Sequence, residues 1–536
     1  MRHARSFFAI AGFLTVACAS DPAAHITADG LRADAAALSA DSMEGRGTAT
    51  AGENRAAAYI AHRFEQIGLV PAAGDSYLLP FELTGMKKDI AASSLTLRGP
   101  SGTLPVQEGD QITYWSTAAK PVVDVRNAPV VFVGYGVEAP EYGWDDFKGA
   151  DVRGKVLLFL NNDPPVEENG QALFGGAART YYGRWPYKFE QAARHGAAGA
   201  IVIHTTGSAS YPFSVVGHDG IRENWDRGYE LDLLAWMDSS TTERVAAAMG
   251  TTLSGLFDMA VQRSFRPQDT RFRLTSHIET AVRTVQTKNV AGVVRGTDSA
   301  LADQYVVFTG HYDHLGMGGA ATGSDTIYNG AWDNAVGVAS ILSAAEAFAA
   351  AKPRRSLMFV AVTAEEAGTL GSAAFVAHPP VPLRQIVADF NVDMPQIFGV
   401  THDVAAIGLE TNTIGDVFRT VVEEHGLQPV GDPDPSAGHF YRSDQVSFAK
   451  VGVPALYLQA GTDYVDPPAV DPTVYEKEHY HQVSDEIGPA WNLAGLERDM
   501  RIMFETALRV ANADEQPRWK PGNEFEGAWK ALYGKQ

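Results

Sequence analysis

Three strongly apolar runs in the second half of the chain set the pattern from which its architecture is predicted. They cover residues 305–309, 356–362 and 386–392, and Gly, Pro or charged residues lie close to their ends. Short runs of this kind are typical of strands buried in a sheet. The sequence therefore predicts an α/β fold, in which a mostly parallel sheet is flanked by helices.

Polar residues with metal-binding side chains follow each of these runs. His311 and Asp313 follow the first, Glu365 and Glu366 the second, and Asp393 the third. In open α/β sheets, ligands bind just beyond the carboxyl ends of the strands. Three separate strands are thus expected to bring His, Glu and Asp side chains to one rim of the sheet.

Two more candidates lie outside the strands. Asp333 stands at the start of a predicted helix, residues 333–351, whose apolar positions recur at helical spacing and which should end at Pro353. His481 lies far downstream in the segment HYHQVSDEI. His479 is two residues away and would point to the opposite side of an extended chain, so His481 is the preferred candidate.

The residue types in this set indicate a particular metal. Imidazole and carboxylate together suit zinc, whereas all-oxygen sets suit calcium or magnesium. Two histidines and three carboxylates are too many for one four-coordinate catalytic zinc, but suit two zinc ions about 3.5–4 Å apart that share a carboxylate. Glu365 and Glu366 are adjacent and need not have the same role: one can bind metal while the other accepts a proton.

The ordered motifs GHYDHLG, NGAWDNAVG, TAEEAGTLGS, NVDMPQ and YHQVSD resemble the di-zinc aminopeptidase family. That family includes bacterial leucyl aminopeptidases, glutamate carboxypeptidase and the inactive transferrin receptor ectodomain. The resemblance covers most of residues 280–510. It implies a zinc exopeptidase, an aminopeptidase acting on peptide substrates, with two zinc ions as cofactors.

The resemblance also implies a role for each matched residue. The first zinc would be held by His311, Asp333 and Asp393, and the second by Asp333, Glu366 and His481. Glu365 matches the general base, and Asp313 matches the carboxylate that orients the His311 ring. Tyr480 matches the tyrosine that polarises the scissile carbonyl, and Arg442 resembles a substrate-pocket arginine. Family members also carry a cis peptide bond after the bridging aspartate, here Asp333–Asn334.

Alternating strands and turns between the two halves of the matched region resemble an inserted, β-rich protease-associated domain. The predicted division is 19–114 for the first part of the peptidase domain, 115–278 for the insertion, 279–510 for the catalytic part and 511–536 for a polar tail without assigned function. The insertion is expected to lie at the mouth of the site and to limit access to short peptides.

Composition excludes one class of partner. The chain has 536 residues and a formal net charge of −21, with 45% hydrophobic residues. Nucleic-acid binding requires clustered Lys and Arg, so this charge argues against it.

The first 18 residues predict an export signal. Arg2 and Arg5 precede an apolar stretch, residues 7–16, that is too short to span a bilayer. Cys18 is the only cysteine, and two interpretations stay open: a residue of an ordinary cleavage site, or a lipid-anchored cysteine. Both predict an exported protein, either periplasmic or secreted.

Other functions differ from this one in the residues that they require. A carboxypeptidase or dipeptidase could use the same two metals and differ only in the pocket for the substrate terminus. A one-zinc glutaminyl cyclase and a non-catalytic receptor are disfavoured because no ligand position is lost, and a serine hydrolase because no Gly-x-Ser-x-Gly motif occurs. His314 is expected to lie beside the ligands or to face solvent.

Overall fold

The structure is a computed structural model that describes residues 21–534 except 177, 210, 219, 221, 222 and 319–324. The predicted signal segment and Cys18 lie outside the described residues. The strands are β1 (Val70–Pro71), β2 (Leu78–Gly99), β3 (Gly102–Leu104), β4 (Ile112–Trp115), β5 (Val122–Phe132), β6 (Glu138–Ala139), β7 (Trp144–Asp145), β8 (Val156–Leu160), β9 (Glu167–Glu168), β10 (Gln171–Ala172), β11 (Gly199–Ile203), β12 (Glu223–Trp225), β13 (Leu233–Met237), β14 (Gln268–Val294), β15 (Tyr305–His311), β16 (Gly316–Met317), β17 (Ile327–Tyr328), β18 (Ser356–Val362), β19 (Ile386–Val392), β20 (Asp403–Ile407), β21 (Gln428–Val430) and β22 (Ala455–Gln459). The helices are α1 (Ala28–Leu38), α2 (Ala51–Ile67), α3 (Trp185–Arg194), α4 (Thr206–Ala209), α5 (Ser239–Met249), α6 (Leu253–Ala260), α7 (Val336–Ala351), α8 (Leu370–Ala377), α9 (Thr413–Glu424), α10 (Gln445–Lys450), α11 (Pro472–His479), α12 (Ala494–Asn512) and α13 (Glu526–Tyr533).

The three predicted strands form the centre of the sheet in the main domain. They are β15, β18 and β19, and the strand order there is β21-β20-β22-β19-β15-β18-β14. Strands β18, β15, β19 and β22 run parallel to one another. β14 pairs antiparallel with β18 on one side of this group, and β20 pairs antiparallel with β22 on the other. Every residue of β15, β18 and β19 is buried, as expected for strands covered on both faces.

Helices cover both faces of this sheet and confirm the predicted α/β class. One face packs against α1, α2, α7 and α12, and the other against α8 and α10. Helix α7 ends at Ala351, as predicted from Pro353, with Lys352 in the left-handed conformation. The segment Ala331–Ala351 is apolar and long enough to cross a membrane, but 78% of its most apolar window is buried in the protein.

Two long strands join the predicted insertion to the main domain. β2 and β14 pair with each other along most of their lengths, and β14 also pairs with β18 at one end and with β5 at the other. β14 runs through residue 278 without a break, and β4, which ends at Trp115, pairs with β13 of the insertion, so the predicted boundaries at 115 and 278 both fall within strands and stay predictions. The core of the insertion is a parallel row of strands, β5-β8-β11-β13, in keeping with its predicted β-rich character.

The C-terminal segment, predicted as a polar tail, packs against the rest of the protein. Trp519 is buried and its indole Nε1 donates to the Gly452 carbonyl at 3.1 Å. Glu524 accepts a hydrogen bond from the backbone N–H of Tyr181, in the insertion, at 2.9 Å. Burial raises the pKa of this carboxyl to about 8. The segment thus ties the insertion to the main domain.

Arg46 is the main polar support beneath the rim of the sheet. It is fully buried, and its guanidinium donates to the carbonyls of Leu38, Tyr312, Asn329 and Gly330 at 2.6–2.8 Å. The neighbouring Gly45 has φ +63°, and a Cβ there would lie 2.3 Å from the Gly316 carbonyl oxygen. Arg46 therefore holds together the segments that precede Asp313 and Asp333.

Replacing Arg46 with Lys should destabilise the protein without touching any candidate ligand. An ammonium has three donors and lacks the planar fork of a guanidinium, so at least one of the four carbonyls loses its donor. We expect a loss of about 2–4 kcal/mol, because each buried carbonyl left unpaired costs about 1–3 kcal/mol. Urea unfolding followed by tryptophan fluorescence measures it.

Arg55→Lys is the matched control. Arg55 forms an exposed ion pair with Glu44 at 2.8 Å, which should contribute at most about 1 kcal/mol. An equal shift of the urea midpoint in both variants would contradict the role given to Arg46.

Candidate metal centre

The carboxyl ends of the three central strands place the candidate ligands at one rim. His311 is the last residue of β15, and Asp393 directly follows β19. Glu365 and Glu366 lie in the turn after β18, before α8 begins at Leu370. Because β15 pairs in parallel with both β18 and β19, these ends meet on the same side of the sheet. The strand-end placement predicted from the apolar runs is confirmed.

Asp333 and His481 reach this rim from outside the sheet. Asp333 lies in a π-helical turn, Ala331–Ala335, in front of α7, and has non-helical backbone angles. Its peptide bond to Asn334 is cis, which confirms that prediction. His481 lies just after α11 with φ +58°. Asp485 accepts hydrogen bonds from the backbone N–H groups of Trp332, at 2.9 Å, and of Asp333, at 3.1 Å.

Two groups of side chains share the Asp333 carboxylate. In the first, Nε2 of His311 lies 3.1 Å from Oδ1 of Asp333 and 3.3 Å from Oδ1 of Asp393. In the second, Nε2 of His481 lies 3.1 Å from Oδ2 of Asp333 and 3.1 Å from Oε2 of Glu366. Asp333 therefore turns one oxygen toward each group, which is the arrangement that a bridging carboxylate requires.

The electrostatics and chemistry of these groups fit divalent cations. Burial alone would raise the pKa of Asp333, but the His311 and His481 rings hold it well below its usual range. Burial and Asp333 also act to raise the pKa of Glu366, yet His314 and His481 hold it at about 2. Ionised carboxylates with imidazole nitrogens form a donor set that suits zinc.

His314 lies beside the candidate ligands, which is one of the two positions expected for it. It is buried rather than facing solvent; its Nδ1 is 2.8 Å from Oε1 of Glu366 and 4.0 Å from Oδ2 of Asp333. These three residues could also hold a cation. His479 instead hydrogen-bonds through Nδ1 with the Ser484 carbonyl at 2.8 Å.

Asp313 connects the histidine of the first group with the turn of the second. Nδ1 of His311 lies 3.2 Å from the backbone carbonyl of Asp313 and 3.7 Å from its carboxylate. The carboxylate accepts the backbone N–H of Glu365 at 3.1 Å. The ring thus hydrogen-bonds with the main chain of Asp313, while the carboxylate fixes the position of Glu365, a contact that sequence reasoning missed.

Asn334 is a second residue that the sequence did not single out. Its side-chain amide donates to the Val392 carbonyl at 2.9 Å and accepts from the Gly337 N–H at 3.1 Å. A Cβ at residue 337 would lie 2.0 Å from Oδ1 of Asn334, so only glycine fits there. Asn334 therefore joins the end of β19 to the start of α7, next to both Asp333 and Asp393.

Two cavities meet at this centre. One, of about 430 Å³, is lined by Glu365 and Glu366 together with residues of the insertion. The other, of about 740 Å³, is lined by Asp393 and lies within the main domain. Tyr480 and Arg442 line both cavities. The Tyr480 ring stacks on His481 with ring centroids 3.9 Å apart. The insertion thus forms part of the wall beside the candidate ligands.

Comparison with known proteins places this region in a family. The model of peptidase family M28 matches residues 289–506. Among solved structures, an aminopeptidase from Aneurinibacillus sp. strain AM-1 is 18% identical, with 92% of this chain and 97% of that chain covered at a TM-score of 0.50. That similarity indicates a shared fold.

Two other solved structures superpose less closely. BSAP, a zinc aminopeptidase from Bacillus subtilis, is 16% identical, with 93% and 98% of the two chains covered at a TM-score of 0.42. A peptidase M28 precursor from Shewanella amazonensis SB2B is 16% identical, with 93% and 97% covered at a TM-score of 0.41.

Proposed function

Residues 289–506 belong to peptidase family M28, and from that premise we propose that this metallopeptidase is a di-zinc aminopeptidase that removes N-terminal residues from short peptides. The observation that carries the proposal is the Asp333 carboxylate, whose two oxygens each lie 3.1 Å from a different histidine. A centre with one metal has no need of a carboxylate shared in this way.

The residues present would hold two zinc ions. His311, Asp333 and Asp393 would bind one, and Asp333, Glu366 and His481 the other. When bound, zinc supplies Lewis acidity toward the scissile carbonyl and toward the attacking water. His314 is proposed to hydrogen-bond with Glu366 and to orient it rather than to bind metal, since its Nδ1 is 2.8 Å from Glu366 but 4.0 Å from Asp333.

Glu365 is proposed as the general base. It lines the smaller cavity beside Glu366 and is absent from both groups of candidate ligands. Its carboxylate would take the proton from the attacking water and deliver it to the leaving amine. Tyr480, which lines both cavities, is proposed to donate a hydrogen bond to the scissile carbonyl oxygen.

The larger cavity suits an N-terminal residue. Asp434 and Glu476 supply negative charge for an ammonium group, and Trp332, Phe398 and Tyr464 supply apolar surface for a side chain. Carboxylates favour a cation within a few ångströms. This cavity is therefore proposed to bind the free amine and side chain of the substrate's first residue.

Two further proposals concern the insertion and the predicted signal segment. Because the insertion lines the cavity beside Glu365, it is proposed to act as a protease-associated domain that restricts access to short peptides. Residues 1–18 are proposed to direct export to the periplasm or beyond, with Cys18 as a lipid anchor if it is acylated.

The test of function compares substrates with free and blocked termini. We expect leucine p-nitroanilide to be hydrolysed, N-acetyl-leucine p-nitroanilide to be cleaved at least about 100-fold more slowly, and a zinc chelator to abolish turnover until zinc is restored. Release of C-terminal residues from N-acetylated peptides would contradict an aminopeptidase and favour the carboxypeptidase alternative.

Replacing His481 or His314 with alanine tests which of these two histidines binds the second zinc. We expect His481→Ala to lose one zinc per chain, because its imidazole directly faces Asp333 and Glu366. His314→Ala should keep that zinc but bind it about 10–100-fold more weakly, as is typical when the partner of a metal ligand is removed.

Zinc content after equilibrium dialysis at graded free zinc measures both effects, and His479→Ala is the control for a nearby histidine outside the centre. Complete loss of one zinc in His314→Ala, with retention in His481→Ala, would reverse the assignment.

A further inference from the structure

A third cavity lies where three parts of the chain meet, and we call it the junction cavity. It has a volume of about 270 Å³, and its walls come from the insertion, from residues 407–441 of the main domain and from the C-terminal segment. None of the candidate metal ligands, all of which the structure describes, lines it, and neither do Glu365, Tyr480 and Arg442. It shares one wall residue, Tyr441, with the cavity beside Glu365. The junction cavity is therefore separate from the metal centre.

Apolar side chains from two parts of the chain line the junction cavity. Phe440, Trp519 and Phe525 are buried, and the rings of Trp519 and Phe525 pack with centroids 5.2 Å apart. Ile407 and Leu409 add aliphatic surface. The volume lies just below that of pockets for drug-sized ligands, about 300–1,000 Å³. Size and lining therefore suit a ligand no larger than one apolar amino acid.

Two opposite charges line this cavity without pairing. The Arg179 guanidinium, from the insertion, has one long hydrogen bond, to the Ser208 carbonyl at 3.5 Å, and no ion pair in the part of the chain that the structure describes. The Asp432 carboxylate, from the main domain, accepts the backbone N–H of Asp434 at 2.9 Å and likewise has no ion pair among the described residues. Since the two charged groups do not touch, a ligand that carries both charges can lie between them.

Contacts around Arg179 fix its position at the cavity. Its backbone N–H donates to the Pro435 carbonyl at 2.9 Å, which joins the insertion to the main domain. Gly438 has φ +64°, and a Cβ there would lie 3.2 Å from both Cβ and Cδ of Arg179, so the arginine packs directly on this glycine. Burial lowers the pKa of Arg179, the effect expected for a cation held inside the protein without an ion pair.

We propose that the junction cavity binds a free apolar amino acid such as leucine, with its carboxylate at Arg179, its ammonium at Asp432 and its side chain among Phe440, Trp519 and Phe525. Guanidinium groups bind carboxylates through charge-assisted hydrogen bonds, and carboxylates bind ammonium groups in the same way. The choice of an amino acid rests on the proposed function, because an aminopeptidase releases one in every turnover. The cavity is thus a product site outside the metal centre, and its ligand connects all three parts of the chain.

A cavity-filling variant tests whether the site exists. Gly431 lines the cavity, and a Cβ there would have no atom within 4 Å, so Gly431→Trp should fold and fill the space. Equilibrium dialysis of the zinc-loaded protein against labelled leucine counts the sites. We expect the wild type to bind one leucine per chain more than Gly431→Trp does.

Gly527→Trp is the matched control for this count. A Cβ at Gly527 also has no atom within 4 Å, but this residue belongs to α13 and does not line the junction cavity. The control should bind as many leucines as the wild type. Equal numbers in the wild type and Gly431→Trp would overturn the proposal.

Leucine analogues and a charge variant test the two polar contacts. Leucinamide lacks the carboxylate and isocaproate lacks the ammonium, so we expect each to bind this site about 10–100-fold more weakly than leucine, the range for a lost hydrogen bond to a charged group. Arg179→Gln should weaken leucine by the same factor and leave leucinamide unchanged. Arg153→Gln is the control, because Arg153 forms an exposed ion pair with Asp151 within the insertion. An analogue that binds as tightly as leucine, or unchanged leucine affinity in Arg179→Gln, would contradict the assigned contacts.

The leucine count also separates this inference from the proposed function. If the wild type fails to hydrolyse leucine p-nitroanilide, the proposed aminopeptidase is wrong, yet a difference of one leucine between the wild type and Gly431→Trp would still support the junction site. If the enzyme is an active aminopeptidase but that difference is absent, the proposed function stands and the product site is refuted.

Discussion

Replacing Glu365 with Gln should lower kcat by about 10²–10⁴-fold and leave zinc content and fold unchanged, because general-base catalysis typically contributes that factor. Glutamine keeps the shape of the side chain but cannot accept the proton of the attacking water. The backbone of Glu365 is fixed by the Asp313 carboxylate at 3.1 Å, so the substitution should not move Glu366.

Turnover of leucine p-nitroanilide, measured beside zinc content, checks this expectation. Glu486→Gln is the control, because Glu486 is exposed and directly follows the buried Asp485, yet lines neither of the two cavities. Loss of a zinc ion in Glu365→Gln, or turnover close to that of wild type, would show that the roles of Glu365 and Glu366 are misassigned.

Asp333→Asn should have the second large effect. Asp333 is the single residue shared by the two ligand groups, so a neutral amide at this position weakens both zinc sites together. We expect the variant to lose most of its zinc and its kcat/KM to fall by at least about 10³-fold. The reason is that removing one partner from a buried charged site strongly destabilises that site.

Asp393→Asn is the matched comparison, because Asp393 touches only the group of His311. It should lose one zinc and keep the other. Circular dichroism controls for folding. Equal zinc content in wild type and Asp333→Asn would count against the shared carboxylate, as would identical losses in the two variants.

The sequence predicted the sheet centre well because local pattern and global fold agree there. Strands β15, β18 and β19 are largely apolar and fully buried. The polar residues directly after them therefore lie at the rim of the sheet. Asp333 and His481 could be identified as candidates, but their assignment to the two zinc sites rested on motif resemblance, because a π-helical turn and a loop after α11 have no periodic signal.

Other features depend on contacts between distant segments and leave little trace in the sequence. Arg46 binds carbonyls more than 260 residues away, and Glu524 holds Tyr181 across 343 residues. The domain boundaries leave no sharp signal in the sequence, because β14 is one continuous strand that serves both domains. The sequence did not single out Arg184, and only the folded structure shows that its Nε is buried without a hydrogen-bond partner among the described residues.

The central claim is that two zinc ions share the Asp333 carboxylate. Anomalous diffraction from crystals of the zinc-loaded protein, recorded on both sides of the zinc absorption edge, tests it most directly. We expect two peaks about 3.5–4 Å apart, the separation of two-metal hydrolase centres, one against His311 and Asp393 and the other against Glu366 and His481. A single peak, or a second peak that does not touch Asp333, would contradict it.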